Sequence, residues 1–277
     1  MRWKDRRRSS NVDDRRGMGI GGKGMIGGGF GIIIVIIFAL LGGDPVAILN
    51  NLQNTNPGSE VHYEQTAEEK EMADFVSVVL ADTDDVWNDI FDDMGNKYEE
   101  PTLVLYTGSV ESACGVAGSS TGPFYCPGDR KLYIDLSFYD ELRDKFKAPG
   151  DFAMAYVIAH EVGHHIQTQL GVSDKLNKLR QELSEKEFNK YSVKFELQAD
   201  YLAGVWANRV QGLGYLEKGD LEEALSAANA VGDDRIQKQA TGYVTPDSFT
   251  HGTSEQRMQW FNKGYTLGNL DGWDTFK

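Results

Sequence analysis

Residues 152–170 read FAMAYVIAHEVGHHIQTQL, and the rest of the chain is understood from this stretch. Asp151 before it offers a helix N-cap and Gly171 after it a stop. The apolar residues Phe152, Tyr156, Ile158, Ala159, Val162 and Ile166 predict a helix tucked inside a domain. His160 and His164 stand four positions apart, about 40° from each other around the axis, and so share one face. Two imidazoles so placed can reach one zinc ion. Glu161 sits one position along, where its carboxylate can reach a water on that ion and take its proton as the water attacks a carbonyl. The run is a ligand-base-ligand arrangement suited to hydrolysis. His165 points about 140° away from His160 and is read as structural.

A catalytic zinc takes a third protein ligand and keeps its fourth position for water. The extension His-x-x-Gly-x-x-His is absent, because Gln167 and Leu170 stand where the glycine and the third histidine would be. The downstream candidates are Glu182, Glu185, Glu187 and Glu196. A metal-bound histidine usually donates its other N–H to a carboxylate. One turn further along a helix the four candidates are followed by Lys186, Asn189, Tyr191 and Asp200. Only Glu196 is followed by an acid, so one helix face can supply the ligand Glu196 and the orienting carboxylate Asp200.

Charge is divided along the chain. The 277 residues carry a net charge of -14. Residues 1–23 hold eight basic and three acidic residues, net +5, which leaves 20 basic and 39 acidic residues, net -19, for the remainder. A body this acidic repels a phosphate backbone and argues against nucleic acid as a partner. Gly24 to Gly43 follows without one charge, and Ile32 to Leu41 is almost solid aliphatic. Twenty helical residues reach about 30 Å, the thickness of a hydrocarbon core. A retained anchor is favoured over a cleaved signal peptide, since Leu41-Gly42-Gly43-Asp44-Pro45 offers no Ala-x-Ala site. With the basic flank kept on the cytoplasmic side, the body is expected outside the cytoplasm. The predicted organisation is a basic cytoplasmic segment at 1–23, a transmembrane anchor at 24–43, a linker at 44–60 rich in Asn, Pro and Gly, and a folded domain at 61–277.

Within that domain, helical spacing runs from Thr66 to Met94, with a break expected at Thr83-Asp84. Strands are expected at Thr102 to Tyr106 and Lys131 to Leu136, with a glycine-rich loop between them. The second strand is read either as a core strand or as a sheet edge on which an extended substrate pairs its backbone. Helices are expected at 138–146, 152–170, 173–210 with a break near Asn189, 220–231, 233–240 and 254–263. This is an α+β pattern, mainly helical with a small sheet. Cys114 and Cys126 bracket 11 residues, and outside the cytoplasm a disulfide is the natural reading; a thiolate metal pair would want tighter spacing.

His160-Glu-Val-Gly-His164 followed 32 residues later by Glu196-Leu-Gln-Ala-Asp200 resembles a gluzincin zinc peptidase. More closely, the chain resembles the neutral zinc metallopeptidase family of bacterial membrane-anchored proteins. The likeness runs through the Met1-Arg-Trp start, the glycine-rich apolar segment, the cysteine-bearing loop and Ser248-Phe-Thr-His-Gly-Thr-Ser-Glu-Gln-Arg257. The resemblance implies a zincin-like domain holding one zinc ion per chain on His160, His164 and Glu196, with Glu161 as base and Asp200 orienting a ligand. It also implies a late residue that stabilises the oxyanion. His251 with Arg257 is the first choice and Tyr243 the reserve. The expected function is a membrane-anchored endopeptidase of the bacterial inner membrane, single-pass, acting on peptides or proteins on the extracytoplasmic side. The bilayer is the other expected partner, through residues 24–43. The competing expectation is an inactive, zinc-stabilised envelope binding protein.

Overall fold

Thr66 opens the first long helix: its hydroxyl accepts from the Glu69 N–H while the Glu69 carboxylate accepts from the Thr66 N–H. The computed structural model describes residues 1–17 and 65–277. The helix, α1 (Ala67–Asp93), runs unbroken through the expected break. Thr83 turns its hydroxyl back onto the Leu80 carbonyl at 2.7 Å, so it bonds within the helix and does not end it.

A four-stranded sheet has the order β1 (Val12–Asp14), β2 (Thr102–Tyr106), β6 (Lys131–Asp135), β5 (Phe124–Cys126). The first three run parallel, with Val12 opposite Leu103 and Leu103 opposite Leu132; β5 is antiparallel to β6. Leu103 to Tyr106 are buried in succession, as expected of parallel strands covered on both faces. Lys131 to Leu136 is therefore not the sheet edge: β6 is paired on both sides, and the edge strands are β1 and, next to β6, β5. The glycine-rich loop expected between β2 and β6 is itself structured. It holds the hairpin β3 (Ser109–Ser112) and β4 (Gly115–Gly118), then β5. These strands are only three or four residues long, so they leave little alternation to detect. Cys114 at the hairpin tip is joined by a disulfide to Cys126 on β5, Cα atoms 5.8 Å apart. Closing such a loop stabilises by about 3 kcal/mol in the chain-entropy model.

The remaining helices are α2 (Phe138–Asp144), α3 (Asp151–Gln169), α4 (Val172–Glu182), α5 (Glu185–Gly212), α6 (Asp220–Ala230), α7 (Asp233–Thr241) and α8 (Ser254–Leu267). The architecture is α+β, mainly helical with a small sheet. Asp151 lies in the first turn of α3, and Gly150 occupies the cap position instead. The break between α4 and α5 falls at Leu183-Ser184, where the Ser184 hydroxyl caps α5, and not near Asn189. Asn189 stays helical, with its amide donating to the Asp247 carbonyl.

Glycines set the closest helix crossings. A Cβ on Gly163 would lie 3.0 Å from the Ala199 carbonyl, so the glycine inside His-Glu-Val-Gly-His lets α3 press against α5. Gly204 and Gly264 do the same between α5 and α8, where an added Cβ would fall 2.0 Å from the Phe261 carbonyl and 1.9 Å from the Tyr201 carbonyl respectively. These contacts bring three helices to one point.

The front of the chain departs from expectation. Met1–Arg15, expected as part of a separate basic segment, does not stand apart from the body, because Met1–Arg15 and Gln65–Lys277 form one compact unit. β1 completes the sheet, Met1 is buried in the main core, and Trp3 packs edge-on against Phe75 of α1. Basic side chains that read as a cytoplasmic flank meet acids of α1: Lys4 with Glu71, Arg6 with Asp82, Arg7 with Asp85 and Arg8 with Asp74. The physical reason is complementarity, since the acids crowding one face of α1 face the one strongly basic stretch of the sequence. The expected anchor at 24–43 and linker at 44–60 lie outside the described residues. Among the described residues no helix is long and apolar enough to cross a membrane.

Candidate metal centre and active site

His160 and His164 project from α3 toward α5, as four-residue spacing requires. His160 Nε2 lies 3.1 Å from one oxygen of Glu196 and His164 Nε2 lies 3.6 Å from the other. One ligand atom from each of the three residues can be chosen so that all lie within 4.8 Å of one another. Two imidazole nitrogens and one carboxylate oxygen converging on a point are the donor set of a three-ligand zinc site with an open fourth position.

The far sides of both rings are held. His160 Nδ1 donates to Asp200 Oδ1 at 2.9 Å, and Asp200 is fully buried one turn after Glu196. Tyr156, one turn before His160, donates its hydroxyl to the same Asp200 oxygen at 2.6 Å. His164 Nδ1 donates to Gln167 Oε1 at 2.8 Å, and Gln167 is fixed in turn by donating to the Phe195 carbonyl at 2.7 Å. Each Nδ1 proton is thereby assigned, which leaves both Nε2 atoms facing Glu196. Tyr156 and Gln167 are absent from the sequence-derived site. Helical spacing could have found them, at four residues before His160 and three after His164.

The field of the cluster favours a cation. Burial works against a charged His160, yet Asp200 and Glu196 outweigh it and raise its pKa to about 9. Burial likewise opposes ionisation of Glu196, but His164 and His160 hold that carboxyl well below its usual range. Asp200, opposed by burial and favoured by Arg257 and His160, is lowered to about 2. Glu161 is buried in the same cleft, and desolvation raises its pKa against the pull of the two histidines. These residues line a cleft of about 600 Å³ with Phe124, Tyr125, Phe138, Phe146 and Ile236 among its apolar walls.

The late residues separate into three. His251 lines the cleft, half exposed, with Nδ1 3.2 Å from Asp233 Oδ1, and this bond raises its pKa. Arg257 borders the cleft but is buried, its Nε and Nη2 each donating to an Asp200 oxygen at 2.9 Å. A guanidinium committed in this way holds Asp200 and is not available as the transition-state contact expected of it. Tyr243 is 68% exposed and does not line the cleft, so the reserve role is not supported. His165 is structural as read: Nε2 donates to the Glu99 carbonyl at 2.6 Å, and burial lowers its pKa to about 4. Asp151, Asp220 and Glu223 are another acidic group with metal-like spacing among the described residues. The Met1 ammonium bonds two of them, Asp151 at 2.7 Å and Asp220 at 3.2 Å.

Arg257→Met should destabilise the metal-free protein by about 3–5 kcal/mol, because it leaves Asp200 buried without its cation. The denaturant midpoint reads this directly, and a loss below about 1 kcal/mol would mean that Asp200 is adequately held by Tyr156 and His160 alone.

Comparison with known proteins gives a consistent picture. The chain is 49% identical over 284 residues to the uncharacterized protein YpfJ of Escherichia coli strain K12, covering all of this chain and 99% of that one. It is 43% identical over 190 residues to the uncharacterized protein Rv2575 of Mycobacterium tuberculosis strain H37Rv, covering 65% of this chain and 63% of that one. No solved structure matches. The family model described as "Putative neutral zinc metallopeptidase" matches residues 1–276, and the chain belongs to that family.

Proposed function

We propose that the protein is a zinc-dependent endopeptidase, with His160, His164 and Glu196 holding one zinc ion and Glu161 acting as the general base. The observation that carries this reading is Glu196 facing the Nε2 atoms of both histidines, with Glu161 buried beside them in an open cleft. The residues fit the metal: two imidazoles whose Nδ1 atoms are held by Asp200 and Gln167 and one ionised carboxylate facing both Nε2 atoms. Bound zinc would supply Lewis acidity and an acidified water.

The chain's own residues then do the following. Glu161 takes a proton from the attacking water and returns it to the leaving amine, a role suited to a desolvated carboxylate whose pKa is raised. Asp200, positioned by Arg257 and Tyr156, keeps the His160 ring oriented, and Gln167 does the same for His164. His251 stands at the cleft as the group to stabilise the oxyanion. β5, the edge strand beside the cleft, takes the role first considered for Lys131 to Leu136 and pairs with the extended substrate backbone. The amide of Tyr125 on β5 also lowers the Glu161 pKa, which links that strand to the base. Association with a bilayer through residues 24–43 belongs to the same proposal, on the strength of the uncharged run. The Cys114–Cys126 disulfide favours an extracytoplasmic address.

Elemental analysis of the purified full chain should find one zinc per chain. A mixed peptide library should be cleaved, with activity lost on chelation and regained on adding zinc. Stoichiometric zinc with no cleavage at any peptide would overturn the enzymatic reading and leave a zinc-stabilised binding protein.

A further inference from the structure

The cleft beside His160 and His164 has two unlike ends along α3. Val157 and Thr168 both line it, and the 11 residues between those positions span about 16 Å of helix, with the metal-binding histidines in the middle. At the Thr168 end, polar groups share the lining with Leu176 and Phe195. The Thr168 hydroxyl donates to the His164 carbonyl at 3.0 Å and lies 2.9 Å from that of Ser173, and Asn177 follows one turn along α4. At the Val157 end the lining is apolar. Phe138 of α2 and Phe146 just beyond it set their ring centroids 6.2 Å apart, and Ile236 of α7 completes the wall. Arg235 donates to the Phe146 carbonyl at 3.4 Å, which ties α7 to the segment leading into α3. Gly122, leading into β5, lies against Phe138, where an added Cβ would be 3.5 Å from the ring. A chain paired with β5 therefore passes this wall.

Charge is missing from the Val157 end. Among the described residues, the charged and histidine side chains lining the cleft are His160, Glu161, His164, Glu196, His251 and Arg257. Each is already committed to the metal, the proton, the oxyanion or Asp200. Lys145 lies 5.3 Å from the centre of the Phe146 ring, but it pairs with Glu141 and is not in the lining. A charged substrate side chain entering here would lose its water without gaining a partner, whereas an apolar one gains by burial.

We infer that the substrate is recognised by a bulky apolar side chain beside the scissile bond, seated against Phe138, Phe146, Val157 and Ile236, and that a charged residue there is rejected. Folded proteins bury such side chains, so the substrate class is an extended, unfolded polypeptide that exposes them. Only the cleavage arm of the test rests on the endopeptidase reading.

The test uses the zinc-loaded full chain and a host peptide varied at one position, the residue beside the bond cut in the library digest. Replacing Phe or Leu there by Ala should lower kcat/KM by about 10–200-fold, and Lys or Glu should lower it at least as far. Ile236 is 40% exposed, so Ile236→Glu keeps its carboxylate hydrated and should leave the unfolding midpoint unchanged. It should lower kcat/KM for the Phe peptide by about tenfold or more and raise it for the Lys peptide. Binding of the same peptides, fluorescently labelled, to the Glu161→Gln chain should follow the same order by anisotropy. Equal cleavage of the Phe, Ala and Lys peptides would overturn the inference and leave the peptidase reading standing. No cleavage, with Phe-selective binding that Ile236→Glu abolishes, would overturn the peptidase reading and keep the apolar anchor. With neither cleavage nor selective binding, both fall.

Discussion

Glu161→Gln should abolish peptide cleavage while leaving zinc content and fold intact, with kcat/KM falling by about 10²–10⁴. The substitution keeps the volume and the hydrogen-bonding shape of the side chain and removes only its ability to accept a proton. Glu161 is not among the residues that converge on the ligand point, so the metal should still bind. Its burial beside His160 and His164 places the lost carboxylate where the attacking water must be deprotonated. The denaturant midpoint should not fall, because a neutral amide is easier to bury than a carboxylate at the same position. Three measurements therefore belong together: zinc stoichiometry, unfolding midpoint and cleavage rate on the best peptide from the library. Cleavage by the variant at the parent rate would sink the assignment of Glu161 as base. Loss of zinc along with activity would instead make Glu161 a structural support of the metal centre.

The ligand set was legible because helical geometry is local. Four-residue spacing fixes His160 against His164, and the same spacing fixes Glu196 against Asp200, whatever surrounds them. What joins the two helices was not legible as such. Gly163 stands inside the motif, but only the approach of Ala199 shows that it is there for close packing. Arg257 illustrates the opposite difficulty. A late arginine near a histidine suggests substrate contact, and nothing in the sequence says that Asp200, 57 residues earlier, occupies its guanidinium. β5 was missed because three residues between a glycine-rich hairpin and a turn carry no periodicity, while its edge position depends on β6 pairing from the other side. Met1–Arg15 was misread for a deeper reason. Charge counting treats residues 1–23 as one block facing solvent, whereas the partners of that block are acids more than 60 residues away on α1.

That misreading determines which piece of the chain can be studied alone. A chain beginning at Gln65, close to the domain start at residue 61 expected from the sequence, should fail to reach a stable native state. Without Met1–Arg15, β2 becomes an unpaired edge although Leu103, Val104 and Leu105 are buried to within 1%. The Met1 side chain leaves the core and Trp3 leaves Phe75, and a large apolar side chain contributes about 1.5–3 kcal/mol when fully buried. The hydrogen bonds at Arg2, Ser9, Asn11 and Arg15 go as well, at about 1 kcal/mol each. Asp82 and Asp84 make the loss larger. Burial raises Asp82 to about 7 even with Arg6 present, and raises Asp84 to about 8 beside Ser9. Removing Arg6 and Ser9 takes away the groups that offset this burial. A carboxyl whose folded pKa is raised adds stability that is complete below its unfolded pKa and is lost as pH rises through the folded value, so the deficit should be most severe above about pH 8. Together these losses match or exceed the roughly 5–15 kcal/mol that holds a typical domain folded. The full chain should therefore unfold cooperatively by circular dichroism and hold zinc. The fragment from Gln65 should show no cooperative transition and no stoichiometric metal, and adding a synthetic peptide of residues 1–17 in excess should restore both in part. If the fragment unfolds at the same denaturant concentration as the full chain, Met1–Arg15 is a dispensable appendage.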